Sequence, residues 1–308
     1  MSAYPIVAIC AVSAAFALFV IAALRKGFRT AAGAAVSFPL CVALGFVFAK
    51  LFYVLLMETG RMIEWGEFDA LFSLDPGTFC FTGGGIGVWL GLLLSARVTG
   101  NRPAGKFLDL FTVPGLLLVA GLRMAEMELG SLGTGRFIET AAAPPFPFAV
   151  VNEYGEAHVA VFFWEAAWAL VVALLSLFDR DCRPGARFET AVFRLCAGQI
   201  LLENMRSRAL SWGFVRVEQV FCAVILLILM LLACVRDTKK QGAVRFLPAL
   251  YLLACFAAIV GIEFLRQRSS YRFMGETGGF LLMGFVLILV LLLYRSVRVG
   301  LRRPGKNR

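Results

Sequence analysis

Long, unbroken apolar runs separated by short polar connections dominate the 308-residue sequence. Nine windows stand out: about 4–24, 31–57, 78–96, 107–125, 157–178, 188–205, 217–235, 246–265 and 277–295. Most reach roughly 20 residues, the length at which a helix crosses a hydrocarbon core about 30 Å thick. The runs are continuous rather than alternating, which argues against lipid-facing barrel strands. Backbone polar groups in lipid must be satisfied within their own segment, so the windows predict helices. The expected fold is all-α: a polytopic transmembrane bundle of about nine spans. The sixth window is the weakest, being short and carrying Arg194, Gln199 and Glu203.

Composition agrees with this pattern. Hydrophobic residues make up 60% of the chain and charged residues 16%, with a mean hydropathy of +0.82. Soluble domains are nearer half apolar and a quarter charged. Lipid is therefore the expected solvent, and the bilayer the first expected partner.

The formal charge of +10 is distributed by connection rather than by domain. Arg25, Lys26 and Arg29 follow the first window, and Arg97, Arg102 and Lys106 the third. Arg180, Arg183 and Arg187 follow the fifth, Arg236, Lys239, Lys240 and Arg245 the seventh, and Arg295, Arg298, Arg302, Arg303, Lys306 and Arg308 the ninth. Every second connection is basic, as the positive-inside rule requires of a cytoplasmic face. The connection at 58–77 is acidic instead, with Glu58, Glu64, Glu67, Asp69 and Asp75. The expected topology has the N-terminus outside the cytosol and the C-terminus inside, and no nucleic-acid partner is expected. The first window has no basic n-region and its charge follows rather than precedes it, so it reads as a retained span rather than a cleaved signal. The eight cysteines show no CxxC spacing, and a single His158 cannot complete a usual zinc set, so no metal or other cofactor is expected. Buried thiols acting as small apolar residues are the expectation.

Charged residues within spans are costly and usually face an interior cavity, which makes them the best pointers to function. They include Lys50 in the second window, Arg123, Glu126 and Glu128 at the end of the fourth, and Glu165 in the fifth. Arg194, Gln199, Glu203 and Arg206 mark the sixth, and Glu263 and Arg266 end the eighth. Glu203 and Arg206 are three residues apart, as are Arg123 and Glu126, so each pair shares a helix face. In the expected topology Lys50, Arg123, Glu203 and Arg206 lie toward the outer ends of their spans. Cations gathered there suit a phosphate headgroup, which the planar guanidinium fork can hold through two bonds. The glycine run Gly83-Gly84-Gly85-Ile86-Gly87 allows close approach, either of a neighbouring helix or of a ligand to backbone amides. The longest connection, about 126–156, carries several glycines and the run Pro144-Pro145-Phe146-Pro147. It is expected to form an extracytoplasmic loop.

Together these motifs resemble the prolipoprotein diacylglyceryl transferase family. FVFAKLFYVLL, around Lys50, is similar to the family's second-span segment, and DPGTFCFTGGGIGVWLGLLLSARVTG to its phenylalanine-histidine-glycine-glycine segment. LDLFTVPGLLLVAGLRMAEMELGSLGTGRF resembles its signature region, with Arg123 on the essential arginine. AHVAVFFWEA resembles the motif opening the fifth span, and ILLENMRSRALSWGFVRVEQVF the sixth-span glutamate–arginine pair. Three positions depart from the pattern: Thr82 stands where the family has histidine, Gln199 where it has arginine, and Glu126 where it has asparagine. The resemblance covers roughly 10–235.

The resemblance implies a bacterial cytoplasmic membrane enzyme. It would move a diacylglyceryl group from phosphatidylglycerol, or a related anionic phospholipid, to the lipobox cysteine of a prolipoprotein, without a cofactor. Arg123, Glu203 and Arg206 would be catalytic, the arginines holding phosphate and Glu203 orienting Arg206. Lys50, Thr82, Gly83, Gly84, Glu126 and Gln199 would line the substrate site. Arg194 could supply a cation from another turn, and Glu126 could serve as a base. The alternative is a non-catalytic lipid- or lipoprotein-binding relative, favoured by Thr82 and Gln199. Residues 1–235 would form the seven-span core, and 236–308 two further spans with a basic tail.

Overall fold

The computed structural model describes residues 3–57, 72–139, 143–152, 154–179, 181, 183–207, 211–212, 215–237, 242–267 and 276–302. Most of the acidic connection, together with Arg180, Cys182, Lys239, Lys240, Arg303, Lys306 and Arg308, lies outside these residues. Nine α-helices occur among the described residues, one per window: α1 Tyr4–Leu24, α2 Phe28–Met57, α3 Phe81–Val98, α4 Ala104–Ala125, α5 Val161–Leu177, α6 Ala186–Glu203, α7 Val217–Arg236, α8 Leu247–Gln267 and α9 Glu276–Arg302.

Among the described residues, seven helical stretches are long and apolar enough to cross a membrane. The two remaining helices, α5 and α6, fall short for different reasons. The apolar α5 has 17 residues, about 25 Å of helix. The 18-residue α6 carries Arg187, Glu189, Arg194 and Glu203. Large apolar side chains such as Ile6, Ile21, Leu55, Leu174 and Leu281 are more than half exposed on the helix exteriors. Around a soluble domain this would be an exceptional apolar surface, whereas lipid covers it at no cost.

The chain divides into two compact units, Met1–Val192 with Leu202–Glu218, and Phe193–Leu201 with Gln219–Arg308. In the first unit, α1 packs on α4 through an aromatic ladder. Phe19 meets Phe107 and Phe111 with ring centroids 5.1 Å apart in each case, and Phe16 meets Phe111 at 5.7 Å and Phe38 at 5.2 Å. The turn from α1 to α2 uses only residues 25–27, and Gly27 takes φ +118°, a conformation that suits a residue without Cβ.

Helices α2 and α3 pack with their backbones close together. A Cβ on Gly87 would collide with the Leu44 carbonyl oxygen, one on Gly83 would lie 2.7 Å from that of Phe48, and one on Gly91 2.9 Å from the Cys41 Cα. A Cβ on Gly84 would make only ordinary contact with Ala49. The glycine run therefore forms a packing seam that lets two backbones approach.

The start of α6 is fixed by α4. Asp109 Oδ2 accepts from the Gly185 amide at 2.8 Å, and Oδ1 from the Phe188 amide at 3.0 Å. This satisfies donors that the first turn leaves open.

Between α4 and α5 the chain forms a 3₁₀ turn, Glu126–Leu132, and a small antiparallel sheet of β1 Phe137–Ile138, β2 Ala149–Val151 and β3 Ala157–Val159 in the order β1-β3-β2. Phe137 pairs with His158, and Val150 with His158 from the other side. A second hairpin, β4 Ser211–Trp212 with β5 Val215–Arg216, connects α6 to α7.

In the second unit α8 packs on α9 around buried Leu252, Met283, Leu287 and Val290. Phe193 stacks on Tyr294 with centroids 3.7 Å apart and planes 4° from parallel. Gln219 Nε2 donates to the Ile200 carbonyl at 2.8 Å.

Candidate functional site

The charged residues of the first unit converge on a cavity of about 470 Å³. Its lining includes Arg123 from the last turn of α4, Glu126 from the 3₁₀ turn that follows it, Glu203 from the end of α6 and Glu218 from the first turn of α7. Arg206 lines it from three residues past the end of α6, so it does not share a helix face with Glu203 as the spacing suggested. Tyr4, Tyr53, Phe79 and Phe81 supply the apolar wall. Behind the lining sits Glu165 of α5, 2% exposed.

Two guanidiniums share three carboxylates. Arg123 Nη1 donates to Glu126 Oε1 at 2.6 Å, and its Nε lies 3.3 Å from Glu165 Oε2. Arg206 Nη2 donates to Glu126 Oε2 at 2.5 Å and also to Glu165 Oε2, while Nε donates to Glu165 Oε1 at 3.1 Å. Glu203 Oε2 stands 3.7 Å from Arg206 Nε. Glu126 and Glu165 thus each bridge both arginines. The Arg123 guanidinium lies 3.8 Å over the Phe81 ring, which fixes its plane. Among the described residues, Nη2 of Arg123 and Nη1 of Arg206 donate to no protein group, so each arginine presents one uncommitted amino group.

The backbone around Arg206 is clamped by the connection between α4 and α5. The Arg136 amide donates to the Met205 carbonyl at 3.0 Å, and Gly135 forms an antiparallel bridge with Arg206. Ser207 Oγ donates to the Thr134 carbonyl at 3.0 Å. Arg216 Nη1 donates to the Glu203 carbonyl and, at 3.1 Å, to that of Arg206. Gly135 is required here, because a Cβ would lie 2.5 Å from the Met205 carbonyl oxygen and 2.5 Å from Val161 Cγ2. His158 stays in the sheet, its Nδ1 3.2 Å from the Gly135 carbonyl oxygen.

The remaining expected site residues occupy supporting places. Lys50 is 2% exposed, donates to Thr78 Oγ1 and sits 3.9 Å above the Phe79 ring, so it braces the segment that carries Phe79 to the wall. Gly83 and Gly84 face α2 in the packing seam. Thr82 is buried, and both its hydroxyl and its amide donate to Glu218, the amide at 3.2 Å. Arg194 and Gln199 fall on the stretch of α6 that belongs to the second unit, where Gln199 is buried.

Glu218 is the lining carboxylate that sequence reasoning passed over. Its signal was an acid at the first turn of an otherwise apolar span, a position where the helix N-terminus favours negative charge and hides a functional role. No cluster of three or more His, Cys, Asp or Glu side chains suited to a metal ion occurs among the described residues.

Known proteins share this sequence pattern. The family model for prolipoprotein diacylglyceryl transferase matches residues 1–235. The phosphatidylglycerol–prolipoprotein diacylglyceryl transferase of Bacillus mycoides strain KBAB4 is 25% identical over 222 residues, covering 68% of this chain and 78% of the relative. The protein of the same name from Bacillus cereus strain B4264 is 25% identical over 219 residues, with the same coverage. With the family model matched from residue 1 to 235 of 308, the chain belongs to the prolipoprotein diacylglyceryl transferase family.

Proposed function

We propose that the protein transfers a diacylglyceryl group from phosphatidylglycerol, or a related anionic phospholipid, to the thiol of a lipobox cysteine in a prolipoprotein. The observation that carries this reading is the arginine pair. Two guanidiniums from distant parts of the chain line one cavity, and each has an amino group that donates to no described protein group. A phosphodiester bound between Arg123 Nη2 and Arg206 Nη1 would be held by donors already fixed in place. Such preorganised cations stabilise charge as it develops on a leaving phosphate. Glu126, Glu165 and Glu203 hold the two side chains in register.

In this reading the sulfur attacks the terminal glyceryl carbon of the donor and the carbon–oxygen bond to phosphate breaks. Glycerol phosphate leaves with the bonding electrons. The site faces the outer leaflet of the bacterial cytoplasmic membrane.

One feature favours a second reading, a lipid-binding relative without chemistry. Glu126 occupies a donor on each arginine that a phosphate would otherwise use. A single assay separates the two. Purified protein is mixed with phosphatidylglycerol and a lipobox peptide, and mass spectrometry reads the diacylglyceryl adduct on the cysteine. Transfer by the unaltered protein, reduced at least a hundredfold in Arg123→Ala and in Arg206→Ala, is the expected result. Retained phosphatidylglycerol with no adduct, beside an active relative under the same conditions, would establish the second reading instead.

A further inference from the structure

An incoming thiol has to lose its proton, because the thiolate is the nucleophile. Thr82, buried beside the cavity, is no proton acceptor near neutral pH. Four carboxylates surround the arginine pair, and three of them are committed to guanidiniums. Glu126 and Glu165 bridge both arginines, and Glu203 lies against Arg206. Glu218 differs in kind. Among the described residues its partners are all neutral: the Thr82 hydroxyl and amide, and the Cys80 thiol at 3.3 Å. It is 8% exposed, yet it lines the same cavity as Arg123 and Arg206.

Resting on the transfer reading, we propose that Glu218 is the proton acceptor for the substrate thiol, with Thr82 as the residue that positions it. The proton passes from sulfur to a Glu218 carboxylate oxygen. The sulfur bonds to the terminal glyceryl carbon, and the carbon–oxygen ester bond breaks toward phosphate. Glycerol phosphate departs as a monoester dianion beside the arginines. Charge balances: a neutral thiol, a singly charged phosphodiester and one carboxylate become a thioether, a doubly charged monoester and one carboxylic acid. The acid returns its proton to water or to the departing phosphate. Glu218 stands at the position of the proton taken and the arginines at that of the charge released, a division that follows from which carboxylate lacks a cation.

A capping role for Glu218 is the competing explanation, since its carboxylate accepts from an amide in the first turn of α3. The test must separate proton transfer from capping. Glu218→Gln keeps an oxygen acceptor for that amide and removes the base. It is compared with the unaltered protein on two lipobox peptides, one with cysteine and one with selenocysteine, whose selenol is ionised at neutral pH without help. Transfer to cysteine should fall about a hundredfold or more, the usual contribution of a positioned base, while transfer to selenocysteine stays within a few-fold. Thr82→Val, which frees the carboxylate without removing it, should show the same split to a smaller degree, and Glu218→Asp should restore part of the cysteine activity. Equal losses on both peptides would mark Glu218 as a cap and overturn the proposal, as would an undiminished cysteine rate in Glu218→Gln. An unaltered protein that modifies neither peptide would overturn the transfer reading itself, and this assignment with it.

Discussion

Glu165 shows how strongly one side chain can be bound into this site. It is 2% exposed, contacts both arginines, and sits on the helix behind the cavity rather than in its lining. Removing one partner from a buried ion cluster leaves the others uncompensated, at a cost of about 3–5 kcal/mol. Glu165→Leu should therefore lower the detergent-solubilised unfolding midpoint by several degrees and abolish transfer together. Glu165→Gln, which keeps the hydrogen-bond acceptor, should cost less stability but still release Arg206 Nε from its charged partner. Glu203 stands farther from the same guanidinium than Glu165 does, at 3.7 Å, so Glu203→Gln should be the milder change on both measures. Thermal unfolding followed by tryptophan fluorescence, beside the transfer assay, checks the order. The arginines and their nearest carboxylates were legible in the sequence because charge inside apolar windows is costly and therefore conspicuous. Glu218 was not, because an acid in the first turn of a helix needs no function to explain it.

At the scale of elements, glycine spacing decides how α2 meets α3. A leucine at Gly87 would drive its Cβ into the Leu44 carbonyl, whereas a Cβ at Gly85 would meet nothing within 4 Å. Gly87→Leu should destabilise the protein by at least about 1–3 kcal/mol, the range for overpacking, while Gly85→Ala should be neutral or slightly stabilising. Yield and unfolding midpoint in detergent report both. The sequence left open whether the run served a helix or a ligand, and at Gly83 and Gly87 the backbone of α2 comes close enough to support the helix reading. Helix boundaries were nearly all readable, with α1 matching its window residue for residue. The three-stranded sheet was not, since strands of two or three residues are too short to show alternation. Gly135, which brings that connection against Arg206, should tolerate no side chain. Gly135→Val should reduce transfer while leaving the aromatic ladder of α1 and α4 intact, a combination visible as lost activity with a retained far-ultraviolet helical signal.

For the whole molecule, the alternation of basic connections sets the expected orientation. A fluorescent protein that matures only in the cytosol, fused to the C-terminus, should be bright, whereas a fusion at the N-terminus should be dark. The reverse outcome would place the arginine cavity at the inner leaflet and require a different route for the prolipoprotein. The length of the spans follows from bilayer thickness and is written plainly in composition. The convergence of α4, α5, the end of α6 and the start of α7 on one cavity is written nowhere in particular, because it depends on contacts between residues far apart in the chain.

That separation has a consequence for synthesis. Arg206 follows Glu126 by 80 residues and Glu165 by 41. At about 5–20 residues per second, Glu126 leaves the ribosome roughly 4–16 seconds, and Glu165 roughly 2–8 seconds, before the guanidinium that joins them. During that interval the growing chain holds two carboxylates destined for the interior with Arg123 as their one arginine of the finished pair. A nascent chain halted before Arg206 is thus an unbalanced product, which membrane quality control could recognise by its charge alone.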